Sequence, residues 1–507
     1  MSGPWPAHPV IYELSTLPWL NEIAARSGRP VTLDSVPAAE WDGVALPGVD
    51  AVWLMGVWER SPAGRAIAQH DRALRQELYE LLPDATDADI VGSPYCVRSY
   101  RVDLLFGGPE GLSVARAELA ARGVRVLLDF VPNHVAPDHD WVTAHPDYFV
   151  RGTEADLGVE PPAFMKTDAG VIALGRDPYF PPWPDVVQLD PTRPSLRAAV
   201  IETLSDIASQ CDGVRCDMAM LQLDDVVAQT WGDRVGPTGA VPYWTEVTRA
   251  VQTLHPNFLF VAESYWDREP DLIAQGFDHC YDKRLYDRLV SDSAGSVRDH
   301  LAADPEYQRR LVRFLENHDE PRAAAVFPAD RGEAAAVVVA TLPGALLLFQ
   351  GQFAGRRHHM PVQLARWPAE PPSAVQEALW RRLLDLSVGE GLRSGRWSVL
   401  GVSGWPDNDS CRNLLAWQWE GEHHRHLIVV NFSGTSADGL VHVEGTTGSD
   451  WDLTDVLDGQ SYQRAGADMD PATGGGLYVS RGPFEAHLFR LIRIADADVA
   501  ASSSDLE

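Results

Sequence analysis

Lysine is nearly missing from this chain of 507 residues: only Lys166 and Lys283 occur, so arginine carries almost all the positive charge. That pattern follows from codon bias in a GC-rich genome and carries no chemistry. Cysteine is scarce as well, at Cys96, Cys211, Cys216, Cys280 and Cys411. An odd number without a C-x-x-C pair argues against a disulfide framework and against a zinc site. No run of about 18 consecutive apolar residues occurs, so no helix is expected to span a membrane. The opening MSGPWPAHPVIYEL lacks a basic stretch followed by an apolar one. No signal peptide is expected, and the expected location is the cytoplasm. Positive charge is also short overall: 72 acidic residues against 42 basic ones give a net charge of −30. A surface this acidic repels phosphate backbones and anionic lipid. That excludes nucleic acid and membranes as first guesses and leaves a neutral small molecule unhindered.

What is present is a regular alternation. Hydrophobic residues make up 45% of the chain, enough for a sizeable core and two or three domains. Short apolar runs, HPVIYEL (8–14), VDAVWLMGV (49–57), VRVLLDFV (124–131), CDGVRCDM (211–218), NFLFVAES (257–264), FDHCYD (277–282), RLVRFLENHD (310–319) and ALLLFQG (345–351), alternate with amphipathic stretches. GLSVARAELAAR (111–122) and SLRAAVIETLSDIAS (195–209) are two of these. Apolar strand followed by helix, repeated about eight times, predicts an α/β fold, a (β/α)8 TIM barrel. Its expected extent is 1–134 and 189–390. The excess at 135–188, rich in Pro, Asp and aromatics, predicts a small inserted domain after the third strand, on the rim where barrel active sites sit. Beyond about 390 the texture becomes short strands between Gly, Asn and Asp turns, which predicts a C-terminal antiparallel β-sandwich over 391–493. Residues 494–507 read as a disordered tail.

Acids end four of the strand candidates: Asp129, Asp217, Glu263 and Asp319. A carboxylate at the end of a barrel strand emerges at one shared rim. A single one is often a cap or an ion-pair partner, but four gathered together repel each other, and a purely structural role explains that poorly. Retaining glycosyl transfer needs such a group. One ionised carboxylate attacks, and one protonated carboxylic acid about 5 Å away gives up its proton. Arg215 lies two residues from Asp217 and so leaves the same strand face, where its cation would hold Asp217 ionised. Glu263 sits among apolar residues without a basic sequence neighbour, which favours the neutral acid.

These segments resemble glycoside hydrolase family 13, the α-amylase family. DFVPNH (129–134), GVRCD (213–217), VAES (261–264) and FLENHDEPR (314–322) look like its four signatures in order. VDAVWLMGV and DVVQLDP (185–191) resemble two weaker ones. The resemblance implies Asp217 as nucleophile, Glu263 as general acid/base and Asp319 as the third acid, which binds hydroxyls and distorts the ring. It implies that Arg215 orients the nucleophile, that His134 and His318 donate to hydroxyls of the glucosyl unit, and that Asp129 supports the site. Asn133 and Arg322 fall within the same signatures and are counted as substrate-binding. GSPYCVRSYRVD (92–103) looks like the segment with an aromatic stacking platform, here Tyr95, and Trp183 in PPWPD is placed near the cleft.

Two departures shape the expectation. A Lys and a His often follow the nucleophile by three and four residues; Met220 and Leu221 stand there and suit a short or unusual acceptor side. After the eighth strand, FQGQFAGRRHH (349–359) has Phe353 where family members often carry an acid. The basic cluster Arg356, Arg357, His358 and His359 follows; it is either an anion site or a loop paired with acidic neighbours. No cofactor is required. Structural calcium stays open: many family members bind it through the Asn at position 133 and carboxylates of the inserted segment. Asp156, Asp168 and Asp177 lie there, but their spacing matches no calcium loop. The expected activity is retaining cleavage of an α-glucosidic bond in a small sugar or maltooligosaccharide. Transfer by a glucosyltransferase, isomerase or phosphorylase through the same intermediate is the alternative. A non-catalytic binding protein of the same family is the third reading, disfavoured because all three acids are present. The oligomeric state is not legible.

Overall fold

The computed structural model describes residues 3–168, 170–389, 391–421 and 425–494. Each of the eight apolar runs contains one barrel strand: β1 (Val10–Ser15), β2 (Ala51–Met55), β3 (Arg125–Phe130), β4 (Gly213–Cys216), β5 (Leu259–Ala262), β6 (His279–Tyr281), β7 (Leu311–Arg313) and β8 (Ala345–Phe349). All neighbours pair in parallel and the sheet closes on itself, β1 lying against both β2 and β8. Buried strands need apolar side chains on both faces, which is why these segments read as unbroken hydrophobic runs. The covering helices show the matching 3.6-residue period. Pro194–Gln210 opens with proline in its first turn and buries Leu196, Val200, Leu204 and Ile207 on one side.

Between β3 and that helix lies the inserted segment. It contains short helices at Asp140–Ala144 and Glu154–Val159 and a hairpin, Phe164–Thr167 with Gly170–Ala173. Val150, Phe164, Val171 and Ala173 pack there against Val227 and Trp231 from the helix after β4, so the segment shares a small core with that helix. Val187–Gln188 returns the chain by pairing with His134–Val135.

The C-terminal part is an antiparallel six-stranded sheet of β9 (Arg396–Val399), β10 (Leu414–Glu420), β11 (Arg425–Asn431), β12 (Asp450–Asp455), β13 (Ser461–Ala465) and β14 (Ala486–Arg493), in the order β9-β10-β11-β14-β12-β13. A three-stranded sheet of Val402–Ser403, Ala437–Val441 and Leu477–Arg481 accompanies it. Leu414, Leu427, Val429, Val441 and Val479 share a core between the two. The larger sheet docks on the alanine-rich barrel helix Ala329–Thr341, where Trp419 Nε1 donates to the Thr341 carbonyl at 2.7 Å. The expected tail falls, from residue 495 onward, outside the described residues. All five cysteines are buried free thiols. Among the described residues no helix is long and apolar enough to cross a membrane.

Candidate active site

Strand alternation decides what faces the barrel axis. Ile11, Trp53, Leu127, Val261 and Leu347 form one packed inner cluster. Two residues further along their strands stand Glu13, Asp129 and Glu263, and Asp217 follows Arg215 by the same step. The inner face therefore changes from apolar to ionisable toward its C-terminal rim. Register places Arg215 opposite Asp129 on one side and Val261 on the other.

Arg215 is the hub. Its Nη1 lies 2.6 Å from Asp217 Oδ1, and its Nη2 lies 2.7 Å from Glu263 Oε2 and 3.7 Å from Asp319 Oδ2. The guanidinium is fully buried, with its central carbon 5.4, 5.2 and 5.9 Å from the ring centres of Trp53, Tyr95 and Tyr281. Asp217 and Glu263 are also buried, while Asp319 keeps 42% of its side-chain surface open to the cleft. Carboxylates at the ends of β4 and β5 and in the loop after β7 thus meet at one cation.

Glu263 is held from two further sides. The Met218 amide donates to Oε2 at 2.6 Å and the Tyr265 hydroxyl donates to Oε1 at 2.9 Å. Met218 adopts a left-handed conformation, φ 40°, directly after Asp217. For a residue with a side chain that strain costs about 1–3 kcal/mol and is typical of functional sites. Burial pushes the Glu263 carboxyl up to about 7, against the opposing pull of Arg215.

Asp319 has the opposite balance. Partial desolvation by the pocket opposes its charge, but His318 at 3.0 Å and the cation of Arg215 hold it at about 2. His318 in turn is kept near 10 against its own burial by Asp319 and Glu13. Its Nδ1 lies 2.5 Å from Glu13 Oε1, and its Nε2 lies 2.7 Å from the Tyr95 hydroxyl. Tyr95 also stacks on the imidazole, 5.3 Å between ring centres, with its ring half-buried.

Asp129 does not reach the cleft. It is buried, accepts from the Trp53 indole at 3.1 Å and the Gly56 amide at 2.7 Å, and burial raises it to about 6. Gly56 has φ 76°, and a Cβ there would stand 2.6 Å from Pro94 Cβ, so only glycine lets the amide approach Asp129. His134 is buried, and burial lowers its pKa; its ring stands 5.2 Å from that of Trp183. Both stand where the inserted segment joins β3, with Trp183 half-buried against Cys96, Ala136 and Val186.

Four sequence-based assignments need correction. Met220 and Leu221 lie on the buried turn Ala219–Gln222 and pack into the main core, so neither offers a surface to an acceptor. Arg322 is fully buried. Its Nη1 donates to Glu316 Oε1 and to the Gln350 carbonyl, both at 2.8 Å, and its guanidinium covers Phe349 and Trp367. It braces the loops after β7 and β8 and presents nothing to a sugar. Asn133 spends its carboxamide on other amides: Oδ1 accepts from Gln188 at 2.9 Å and Gln222 at 3.2 Å, and Nδ2 donates to Gln188 Oε1 at 3.1 Å.

That triangle bears on calcium. Two amide donors point at the one Asn133 oxygen that could ligate a cation, so the site does not fit calcium. Asp156 caps Thr153 and pairs with Arg234, and Asp177 accepts from the Tyr179 and Phe180 amides. Among the described residues no cluster of three or more His, Cys, Asp or Glu side chains is arranged around a metal position. The basic cluster is paired too: Arg356 with Glu22, His358 with Glu370, and His359 with the His318 carbonyl. Arg357 donates to the Ala324 carbonyl, so two of the four side chains pair with acids and two with backbone carbonyls. Phe353 fills the space between Tyr12 and Trp380.

Sequence reasoning missed Glu13, Tyr265 and Tyr281. Glu13 was available by the rule that found the other acids, since it is a carboxylate near the end of an apolar run. The two tyrosines give no signal, because buried tyrosines occur in any core.

No family model matches the chain. It is 27% identical over 246 residues to α-amylase MalA of Haloarcula japonica, covering 46% of this chain and 32% of that protein. It is 22% identical over 270 residues to α-amylase 3 of Dictyoglomus thermophilum, covering 49% of this chain and 50% of that protein. The chain thus matches half or less of the length of these curated relatives. Among solved structures, the maltogenic α-amylase AmyB of Thermotoga neapolitana superposes with a TM-score of 0.67 at 18% identity, covering 96% of this chain and 99% of that one. The structural likeness establishes the fold alone. The chain is thus similar to α-amylases in fold and, over about half of its length, in sequence.

Proposed function

We propose that this chain cleaves α-glucosidic bonds in a small sugar or maltooligosaccharide with retention, through a covalent glucosyl-enzyme intermediate. The observation that carries the reading is Arg215, one buried cation in contact with three carboxylates from separate parts of the chain. Clustered carboxylates are costly, and here their proton affinities are driven apart: Glu263 up, Asp319 down. The raised Glu263 suits the proton-donor role, and the lowered Asp319 suits an ionised group that binds sugar hydroxyls.

In the first step an Asp217 oxygen bonds to the anomeric carbon while the bond from that carbon to the leaving oxygen breaks. The released electron pair takes the Glu263 proton. Arg215 pairs with the attacking Asp217 carboxylate and remains beside Glu263 as the latter becomes a carboxylate. In the second step Glu263 removes a proton from water, the water oxygen bonds to the anomeric carbon, and the ester to Asp217 breaks. Asp319, ionised and open to the cleft, accepts hydrogen bonds from sugar hydroxyls, and the half-buried Tyr95 ring meets the C–H face of the pyranose. Trp183 and His134 form the wall toward the inserted segment.

The test is product analysis with maltose, sucrose, trehalose and maltotriose, with and without phosphate. Release of α-anomeric glucose, abolished in Asp217→Asn, supports the proposal. A β-anomeric product, or an active Asp217→Asn enzyme, overturns it. New disaccharides or a sugar phosphate would assign transfer through the same intermediate.

A further inference from the structure

The steps above give no task to Glu13, a buried carboxylate beside the pocket. Glu13 is fully buried near the end of β1, and its Oε1 lies 2.5 Å from His318 Nδ1. The other ring nitrogen, Nε2, faces Asp319 Oδ2 at 3.0 Å and the Tyr95 hydroxyl at 2.7 Å. Neutral imidazole carries a single N–H and donates on one side only, whereas imidazolium donates from both nitrogens. Carboxylate oxygens at both ends of the ring therefore select the doubly protonated form. The ring has little freedom to turn. Trp53 meets its edge, Tyr95 covers its face, and the backbone carbonyl of His318 is bonded to His359 Nε2.

The charges around this assembly come from every neighbouring element. Besides Glu13 on β1 and Asp319 on its own loop, Asp129 on β3 acts on His318, and Arg215 on β4 and His359 beyond β8 act on Asp319. Tyr281 on β6 and Glu316 after β7 feel Glu13. Of these, only Glu13 meets the Nδ1 edge at hydrogen-bond distance.

We propose that Glu13 is a positioning residue, which fixes His318 as an imidazolium and through it aims the Asp319 carboxylate and the Tyr95 ring at the sugar. The inference rests on the glycosidase reading of the pocket. Glu13 touches no substrate; it acts through a ring that links the third acid to the aromatic platform. Without its charge, Nδ1 faces a neutral group and the imidazolium has one carboxylate in place of two, so the ring gives up its proton at lower pH.

The test is a titration of histidine ring nitrogens by NMR, with the His318 signals assigned by their loss in His318→Gln. In the wild type, both nitrogens remain protonated from about pH 6 to 9. In Glu13→Gln, the midpoint falls by at least about one unit into that window. The ratio of variant to wild-type kcat/KM then approaches one at the acidic end and falls tenfold or more toward the alkaline end. A contact that only maintained shape would lower the rate by one factor at every pH. A wild-type His318 with a single protonated nitrogen near neutrality overturns the inference, as does a Glu13→Gln midpoint equal to that of the wild type. Should Glu13→Gln not fold, the wild-type spectrum decides alone. Failure to turn over any α-glucoside sinks the glycosidase reading and leaves the nitrogen titration to judge Glu13 separately.

Discussion

Arg215 Nη2 and Glu263 Oε2 stand 2.7 Å apart at the meeting of the fourth and fifth barrel strands. A bare cation at that distance would keep the carboxyl ionised, but burial outweighs it and brings Glu263 to about 7. In the proposed role of proton donor, Glu263 works only in its acid form. With a neutral substrate, kcat/KM is therefore expected to fall as pH rises through about 7. Removing the cation in Arg215→Gln lifts that alkaline limb to higher pH while lowering the rate throughout. A limb that stays fixed would mean another group reports it.

Substituting the acids separates their tasks. Asp217→Asn is expected to lose on the order of 10⁴-fold or more in kcat with circular dichroism unchanged. Glu263→Gln loses about 10²–10⁴-fold on maltose, whose leaving oxygen needs a proton. With α-glucosyl fluoride the leaving group needs far less protonation, so Glu263→Gln gives a rapid burst of fluoride, and the ester on Asp217 then builds up. Mass spectrometry of the quenched protein reads it directly; no burst and no adduct would remove Glu263 from the donor role.

Arg322 provides a stability test free of the chemistry. Arg322→Ala leaves Glu316 as an unpaired buried carboxylate and takes a donor from the Gln350 carbonyl. The expected loss is about 3–5 kcal/mol in denaturant unfolding. A loss under about 1 kcal/mol would show that the loops after β7 and β8 do not depend on it.

The amide triangle of Asn133, Gln188 and Gln222 predicts indifference to divalent cations. Chelator or added calcium should leave the melting temperature in place, and Gln188→Leu should destabilise the fold by about 1–3 kcal/mol by stranding the Asn133 amide. A rise in melting temperature with calcium would contradict this assignment.

The barrel was readable because its signal is redundant. All eight apolar runs contain a strand, and an acid ending a buried strand has one rim to emerge on. In the C-terminal part the signal is clear where apolar residues dominate, as in Leu414–Glu420 and Arg425–Asn431. Strands that alternate buried and exposed residues, as in Asp450–Asp455 and Leu477–Arg481, carry a weaker signal. The errors at the site share a cause. Met220, Leu221 and Arg322 were judged by position within a signature, and neighbours in sequence can turn in opposite directions once a strand has ended. Arg322 sits three residues after Asp319, yet one faces Phe349 and Trp367 while the other faces the cleft. Glu13 was hidden because its partner lies 305 residues away.

The pairing of β1 with β8 has a consequence for how this molecule is made. During synthesis the first strand waits, one edge unsatisfied, until residues 345–349 have been produced. The pocket therefore takes shape only after most of the polypeptide exists, and growing chains halted before that point display an unpaired apolar border that invites aggregation. Recovery from denaturant should accordingly be slow and sensitive to protein concentration.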